Sequence, residues 1–272
     1  MSRKRSNSGE VLLIGAGPGD PELLTLKALR ALETADVILF DDLVNRPILN
    51  LASRGATCIC VGKRAGRPSW GQNDINRLMV RLAESGKRIV RLKSGDPTIF
   101  GRAGEEISAL AAADIKVSIV PGITAASALA ASLGISMTHR ACAQSVRFIT
   151  AHSALGGLPL DIDWHGLADS KTTLVVYMGK KTGAELSTRL IQQGRAPSTP
   201  LVVIGNVSRE TEAFEVGTLS DLAEILADWD QEGPVTIAIG EVFSGLSASV
   251  GKASDVRVGM DAERLLVGNE RC

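Results

Sequence analysis

The chain has 272 residues, of which 44% are apolar and 22% charged, and its formal net charge is zero. This length accommodates one large domain or two moderate ones, each with an apolar core. The balanced charge argues against a general nucleic-acid binder, which needs a basic excess, and the 3% aromatic content argues against a base-stacking surface. No apolar run is long enough to span a membrane, and residues 1–10 read as a disordered basic tail without the apolar core of a signal peptide.

The first predicted strand covers residues 11–14 and runs into a glycine-rich turn, and a helix is expected over residues 21–35. Leucines recur in that segment at helical spacing, and Asp20 is a suitable N-cap residue. The turn departs from a dinucleotide-binding fingerprint, because Asp20 takes the place of its last glycine and Pro18 removes a backbone donor. We therefore do not favour a dinucleotide as its ligand.

Two acidic residues, Asp41 and Asp42, follow the second predicted strand at residues 37–40. Their position is equally compatible with a site at the carboxyl end of a strand and with a helix cap before Pro47. The next strand, near residues 59–61, is followed by three cationic side chains, Lys63, Arg64 and Arg67. This cationic loop either meets an acidic ligand or is simply solvated.

The four cysteines and three histidines do not have the spacing of metal ligands. Cys58 and Cys60 are two apart on a predicted strand, and we interpret them as buried structural thiols rather than as part of a metal site. No disulfide framework is indicated, which fits a reducing, cytoplasmic location. We expect no metal cofactor.

A loop at residues 91–106 is unusually rich in glycine and charged residues for a simple connection. It follows an apolar strand and precedes a helical pattern, so it is expected at the carboxyl end of a strand, where open α/β sheets bind ligands. Glycines there let a ligand approach the backbone N–H groups. Another strand, at residues 117–120, ends in a second small-residue turn, in which Thr124 either caps a helix or donates to a ligand.

Strands and helices alternate up to about residue 133, which predicts a mainly parallel sheet covered by helices. The rhythm then breaks, and the second half mixes strands at 146–150, 173–178, 201–204, 213–216 and 235–239 with helices at about 182–193 and 219–228. We predict an N-terminal α/β domain over residues 11–137 and a C-terminal α/β domain over 138–243. Residues 244–272 are expected to form a mobile tail.

Together, the glycine-rich turns and the loop at 91–106 closely resemble the tetrapyrrole methylases, a family of S-adenosylmethionine-dependent enzymes that does not use a Rossmann-like fold. The motifs that carry the resemblance are the segments at residues 15–21, 61–64, 91–97, 99–102, 121–125, 138–140 and 176–179. Their order along the chain is the order in the family, and the resemblance covers about residues 11–243. Within the family, the chain is most similar to members that methylate uroporphyrinogen III.

The resemblance implies two α/β domains with the active site in the trough between them, usually within a homodimer. It implies methyl transfer from S-adenosylmethionine to C2 and C7 of uroporphyrinogen III, which yields S-adenosylhomocysteine and precorrin-2 for sirohaem and cobalamin biosynthesis. It implies no metal, no nucleic-acid partner and no membrane.

The resemblance also implies roles for individual residues. Cofactor contacts are implied for Pro18, the backbone of Ser94, Gly95 and Asp96, and Ile99, Thr124, Ala125, Met178 and Val207. Asp41 would be the proton acceptor and Lys63 a proton donor. The substrate carries eight carboxylates, so we add Arg64, Arg67, Arg102 and Arg140 as substrate-binding candidates, because of their positions in loops.

The chain departs from the family pattern at a few positions in these motifs. Ser94 and Ala103 stand where relatives commonly have glycine, Thr98 replaces an aromatic residue, and Val207 replaces a glycine. We expect no dehydrogenase/chelatase region before the methylase motifs, and hence the methyltransferase step alone. Two alternatives stay open, a methylase of a later precorrin and a catalytically weak S-adenosylmethionine-binding protein.

Overall fold

In this computed structural model the described residues are 9–62, 70–153 and 156–246. The chain divides into two compact units, Met1–Ala125 and Ala126–Cys272. Most of the two predicted tails, residues 1–8 and 247–272, lies outside the described residues. The two domains predicted from the sequence, at residues 11–137 and 138–243, stay a prediction.

The first unit is built on a parallel sheet. Its strands are β1 (Val11–Gly15), β2 (Val37–Phe40), β3 (Thr57–Cys60), β4 (Ile89–Lys93) and β5 (Val117–Val120). They are ordered β3-β2-β4-β1-β5, and every neighbouring pair is parallel. The parallel sheet predicted for the first half is thus confirmed, and the carboxyl ends of all five strands meet at one edge.

The helices of the first unit follow the predicted alternation with one exception. They are α1 (Leu26–Thr34), α2 (Arg46–Leu49), α3 (Gln72–Glu84) and α4 (Ala103–Ala112), with a 3-10 helix at Pro21–Leu23. The single helix predicted over 21–35 is wrong, because the backbone at Leu24 is extended. Thr25 begins a new helix there by accepting a hydrogen bond from the Ala28 N–H through its hydroxyl, 3.1 Å away. Asp20 caps the 3-10 helix, as predicted for a helix start.

Alternate residues of the buried strands pack into two apolar layers, one on each face of the sheet. Ile14, Ile38 and Val90 pack with residues of α1 and α2. Leu13 and Leu39 pack on the other face with residues of α3 and α4. Because side chains alternate along a strand, Arg91 belongs to the second face, under α4.

The second unit is built on a mixed sheet. Its strands are β6 (Ser145–Thr150), β7 (Thr172–Tyr177), β8 (Pro200–Gly205), β9 (Ala213–Thr218) and β10 (Val235–Ile239), in the order β6-β7-β10-β8-β9. Its helices are α5 (Ala125–Ser132), α6 (Trp164–Leu167), α7 (Gly183–Gln192) and α8 (Leu222–Asp228), with a 3-10 helix at Glu241–Phe243. Only β6 and β7 pair in parallel, so the predicted change of pattern in the second half is confirmed.

Cys58 is exposed and Cys60 half-buried, so the interpretation of both as buried thiols is wrong. The reason is that β3 is an edge strand that pairs with β2 alone.

Across the ranges described above, no helix is both long enough and apolar enough to cross a membrane.

Candidate active site

Three loops meet at the carboxyl edge of the parallel sheet, after β1, β4 and β5. A β-carbon built onto Gly15 would lie 2.6 Å from the Cα of Gly122 and 2.6 Å from the carbonyl oxygen of Gly95. Real β-carbons do not approach other atoms this closely, so the backbones come together only because these positions are glycine. The three glycine-containing loops that the sequence singled out are therefore in direct contact.

The loops after β1 and β4 are also joined by two backbone hydrogen bonds. Gly95 donates to the carbonyl oxygen of Gly17 at 2.7 Å, and Gly17 donates to that of Gly95 at 3.2 Å. Both glycines have positive φ, 69° for Gly17 and 67° for Gly95, a conformation that favours glycine. Nothing lies within 4 Å of a β-carbon built onto Gly95, so open space reaches its Cα.

The side chain of Asp96 ties the β4 loop to the β5 loop. Its Oδ2 accepts a hydrogen bond from the Gly122 N–H at 3.0 Å, and its Oδ1 accepts from the Thr98 N–H and hydroxyl at 2.7 and 2.5 Å. The residue is 9% exposed. Thr98, a departure from the family pattern, thus supplies a donor that an aromatic ring lacks.

The structure brings together the predicted cofactor residues of the first unit. They are Pro18, Ser94, Gly95, Asp96, Ile99, Thr124 and Ala125, and all lie in or beside the three loops. Pro18 and Asp96 are buried, whereas the others are half-buried and accessible to a ligand. Open space at Gly95, next to backbone held at a fixed geometry, fits a ligand recognised through peptide groups.

Other predicted residues lie elsewhere in the chain. Met178, 50% exposed with a positive φ of 58°, Val207, which is buried, and Arg140, which is exposed, belong to the second unit. Their part in the site stays a prediction. The predicted proton donor and two substrate-binding candidates, Lys63, Arg64 and Arg67, lie outside the described residues.

Asp41 follows β2 at the same edge of the sheet and is held by a buried cation. Its Oδ1 lies 2.5 Å from Nη2 of Arg91, whose side chain is 2% exposed, while 30% of the Asp41 side chain is exposed. The helix-cap alternative is wrong for Asp41, because Asn45 occupies the N-cap position of α2. Asp41 is therefore a partly exposed carboxylate at the edge where the glycine loops meet.

Arg91 and its neighbour Lys93 are balanced by a second, fully buried carboxylate. Glu106, in the first turn of α4, accepts through Oε1 from Nε of Arg91 at 2.9 Å and from Nζ of Lys93 at 3.0 Å. Gln72 donates to the same oxygen at 3.3 Å, whereas Oε2 has no hydrogen-bond partner among the described residues. Asp41, Arg91, Lys93 and Glu106 form what we call the ionic cluster.

Burial and pairing act differently on the two cations of the ionic cluster. Burial lowers the pKa of Lys93, and the positive charge of Arg91 lowers it further, against the opposing effect of Glu106 and Asp41. Burial also works against the charge of Arg91, but the carboxylates of Asp41 and Glu106 outweigh it and raise the pKa of Arg91. Arg91 is thus a permanent cation beside Asp41.

Sequence reasoning missed this ionic cluster, although the sequence contains a signal for it. Arg91 and Lys93 are two residues apart in an otherwise apolar strand, so both point to one buried face. Two buried cations on one face require a carboxylate partner. Glu106 is spaced from Ala103 and Leu110 so that all three share the buried face of α4, which identifies that partner.

Arg102 lies at the exposed end of the β4 loop. It occupies the N-cap position of α4 with a positive φ of 56°. Its guanidinium pairs with both oxygens of Glu105 at 2.7 and 2.8 Å, and this hydrogen bonding raises the pKa of Arg102. A pre-oriented, exposed guanidinium suits a carboxylate ligand, but its substrate contact stays a prediction.

Comparison with known proteins decides the family. A family profile described as Tetrapyrrole (Corrin/Porphyrin) Methylases matches residues 10–223, which is more than half of the chain. The chain belongs to the tetrapyrrole methylase family. The resemblance found in the sequence motifs is therefore confirmed, and so is the α/β fold class that it implied.

The curated relatives that the chain matches are considerably longer than the chain itself. A protein named siroheme synthase 1 from Yersinia enterocolitica is 52% identical over 242 residues, covering 89% of this chain and 50% of that protein. Siroheme synthase 1 from Pectobacterium atrosepticum is 49% identical over 234 residues, covering 86% and 48%. The chain thus spans about half the length of the curated relatives that it matches.

Solved structures of tetrapyrrole methylases match over nearly their whole length. Uroporphyrin-III C-methyl transferase from Thermus thermophilus, complexed with S-adenyl homocysteine, is 38% identical with a TM-score of 0.73, covering 86% of this chain and 98% of that one. A cobalt precorrin-4 methyltransferase is 27% identical with a TM-score of 0.77, covering 89% and 98%.

Proposed function

We propose that the chain transfers methyl groups from S-adenosylmethionine to C2 and C7 of uroporphyrinogen III, giving S-adenosylhomocysteine and precorrin-2. The observation that carries the proposal is that the glycine loops and the partly exposed Asp41 share one edge of the parallel sheet. The higher identity to the Thermus uroporphyrin-III enzyme, 38% against 27% for the precorrin-4 enzyme, favours this acceptor over a later precorrin.

The loops of the first unit suit the cofactor. The backbone of Ser94, Gly95 and Asp96, with Pro18, Ile99, Thr124 and Ala125, would hold it, and we include Met178 and Val207 from the second unit. When bound, S-adenosylmethionine supplies an electrophilic methyl group on a sulfonium whose sulfide is a good leaving group. The protein then has to orient the acceptor carbon toward that methyl group, which is a matter of positioning.

Asp41 is our candidate for the group that removes a proton from the methylated pyrrole ring. Its Oδ1 is engaged by Arg91, whereas its Oδ2 lies 3.9 Å from Nζ of Lys93. Oδ2 is therefore the oxygen that we assign to proton acceptance. Lys63 is the proposed proton donor, by the family resemblance alone.

The acceptor carries eight carboxylates, so its binding site needs cationic side chains, although the net charge of the whole chain is zero. Arg64, Arg67, Arg102 and Arg140 are the proposed contacts. For Arg102, the role is supported by the exposure of its guanidinium and by the ion pair with Glu105 that orients it. We also propose that the chain forms a homodimer in the cytoplasm and binds neither nucleic acid nor a membrane.

The test is an anaerobic assay with purified protein, S-adenosylmethionine and enzymatically prepared uroporphyrinogen III. We expect a product with the absorbance of precorrin-2 and a mass increased by two methyl groups. Cofactor binding without any methylated product would reject the proposal in favour of a binding protein. Methylation of a later precorrin, but not of uroporphyrinogen III, would reject it in favour of the other alternative.

Asp41→Asn tests the proton acceptor within the same assay. Loss of a general base reduces kcat by about 10²- to 10⁴-fold, and we expect a fall in that range with little change in cofactor affinity. Asp36→Asn is the matched control, because Asp36 lies at the opposite end of β2 and pairs with Arg88 there. Equal kcat values for the two variants would remove Asp41 from the mechanism.

A further inference from the structure

Two members of the ionic cluster have no part in the proposed chemistry. The side chains of Glu106 and Lys93 are 0% and 5% exposed, so neither can touch a tetrapyrrole or the cofactor at the surface of the first unit. Buried ionic groups are usually no more stabilising than well-packed apolar residues of the same volume. Their presence directly behind a candidate catalytic carboxylate therefore invites a functional explanation.

The hydrogen bonds of Arg91 connect Glu106 to Asp41 through one rigid group. Nε of the guanidinium donates to Glu106 and Nη2 pairs with Asp41, while Nη1 lies 3.4 Å from the carbonyl oxygen of Leu39. A guanidinium is planar, so fixing Nε on Glu106 also fixes the direction in which Nη2 points. The orientation of the Asp41 carboxylate thus depends on a residue of α4 that it does not touch.

Lys93 completes the arrangement from the same strand as Arg91. Its ammonium donates to Glu106 Oε1 and stands 3.9 Å from Asp41 Oδ2. Two cations and two carboxylates then balance each other, and no uncompensated charge is buried. The hydrogen bonds from Arg91 and Lys93 hold the Glu106 carboxylate in place under the guanidinium.

We propose that Glu106 and Lys93 are positioning residues, which hold Arg91 and, through it, the Asp41 carboxylate in the orientation for proton acceptance. This inference rests on the proposed function of Asp41. It predicts that disturbing Glu106 impairs turnover without weakening binding of either substrate, because the glycine loops are held together by the Gly17–Gly95 backbone hydrogen bonds and by Asp96, not by the Glu106 side chain.

The experiment compares Glu106→Ala with the conservative Glu106→Gln in the methyl-transfer assay. A misplaced catalytic group reduces the rate by up to about 100-fold, so we expect Glu106→Ala to lower kcat between about 10- and 100-fold with unchanged KM values. Glu106→Gln keeps an oxygen for Arg91 and Lys93 and should retain most of the activity. Glu33→Ala, an exposed glutamate of α1, is the control and should match the wild type.

A double-mutant cycle with Asp41→Asn distinguishes positioning from a general loss of structure. If Glu106 acts through Asp41, Glu106→Ala should lower kcat no further in the Asp41→Asn background. Folded protein is counted by titration with S-adenosylmethionine, so that partial unfolding does not imitate a change in kcat. Additive effects, or an unchanged kcat in folded Glu106→Ala, would overturn the inference.

If Glu106→Ala does not fold, the variant Lys93→Met/Glu106→Leu takes its place, because it removes one charge of each sign, keeps the ionic cluster neutral and leaves Nε of Arg91 without its acceptor. We expect a lowered kcat, and a wild-type value would overturn the inference. A wild-type chain that binds the cofactor but methylates nothing overturns the proposed function as well. An active wild type with unaffected variants overturns the positioning role alone.

Discussion

An aspartate–arginine pair lies at each end of the neighbouring strands β2 and β4. We call the two ends of the parallel strands the amino edge and the carboxyl edge of the sheet. At the amino edge, Asp36 Oδ1 lies 3.2 Å from Arg88 Nη2, and the side chains are 39% and 64% exposed. At the carboxyl edge, Asp41 pairs with Arg91, whose side chain is 2% exposed. The residue types and the strands are the same, so the two pairs differ mainly in burial and in what surrounds them.

Burial changes what each pair requires from the rest of the fold. The exposed pair is solvated, and pairs of this kind contribute little to stability. The buried arginine instead recruits a second carboxylate, Glu106, and shares it with Lys93. The Asp41 carboxylate is thus held by a buried arginine that is itself fixed by Glu106, whereas Asp36 pairs with an exposed arginine.

A third arginine, in the second unit, shows that a buried cation need not be paired with a carboxylate. Arg195 is 2% exposed, and Nη1 and Nη2 donate to the backbone oxygens of Leu167 at 2.8 Å and Thr172 at 2.9 Å. Burial lowers the pKa of Arg195. Among the described residues no carboxylate is in direct contact with Arg195, although the charges of Glu241 and Asp169 favour its cation from beyond ion-pair distance. An arginine can thus be buried without direct pairing, so the carboxylates in contact with Arg91 point to a role beyond packing.

Arg91→Met should give the largest effect and tests whether the carboxyl edge depends on charge balance. The substitution leaves Glu106 and Asp41 with Lys93 as the remaining cation of the ionic cluster. Breaking a buried pair in this way destabilises proteins by about 3–5 kcal/mol, which we expect for the free energy of unfolding measured with urea. A loss below about 1 kcal/mol would mean that the ionic cluster is solvated enough to tolerate an unpaired carboxylate.

Arg195→Met should have a smaller effect, because it leaves neutral carbonyl oxygens rather than carboxylates without a donor. Unsatisfied buried polar groups cost about 1–3 kcal/mol, and we expect a loss in that range from the same urea titration. The comparison with Arg91→Met is matched in chemistry, since both variants replace a buried guanidinium with a thioether. Equal losses for the two variants would show that pairing with carboxylates does not distinguish the two sites.

The strands and loops around these pairs are predictable from the sequence, but the pairs themselves are not. Apolar runs predicted the strands, and glycines at the strand ends predicted the loops that meet at the carboxyl edge, because short-range patterns determine both. Asp41 was singled out for the same reason, as an acid at the end of a strand. The contacts of its carboxylate with Arg91 were not predicted, because they depend on the order of strands in the sheet.

Other features depend on long-range packing or on local competition between hydrogen bonds. The order β3-β2-β4-β1-β5 brings Asp41 beside Arg91, which is fifty residues later in the chain. The break at Leu24 arises because Thr25 offers its hydroxyl as a cap, and helical periodicity alone does not reveal such a choice. The mixed pairing of the second sheet likewise has no signal in strand periodicity, which is the same for both directions.

Arg88→Ala should have the smallest effect and defines the baseline for the comparison. Arg88 lowers the pKa of Asp36, mainly through its side-chain hydrogen bond and then through its backbone N–H, which donates at 2.8 Å. The substitution removes the guanidinium but keeps that N–H, and the pair is open to solvent. We therefore expect no measurable change in the free energy of unfolding at pH 7 and physiological salt.

The sign of any residual contribution follows from the lowered pKa of Asp36. A carboxylate with a depressed pKa in the folded state stabilises above its unfolded-state pKa, about 3.9, and loses that contribution as the pH falls through the folded-state pKa. A difference between wild type and Arg88→Ala seen in low salt at pH 7 should therefore shrink as the pH is lowered below about 3.9, and should vanish in about 1 M salt at pH 7. A difference that persists under both conditions would show that the amino edge, like the carboxyl edge, holds its pair by more than a screened surface attraction.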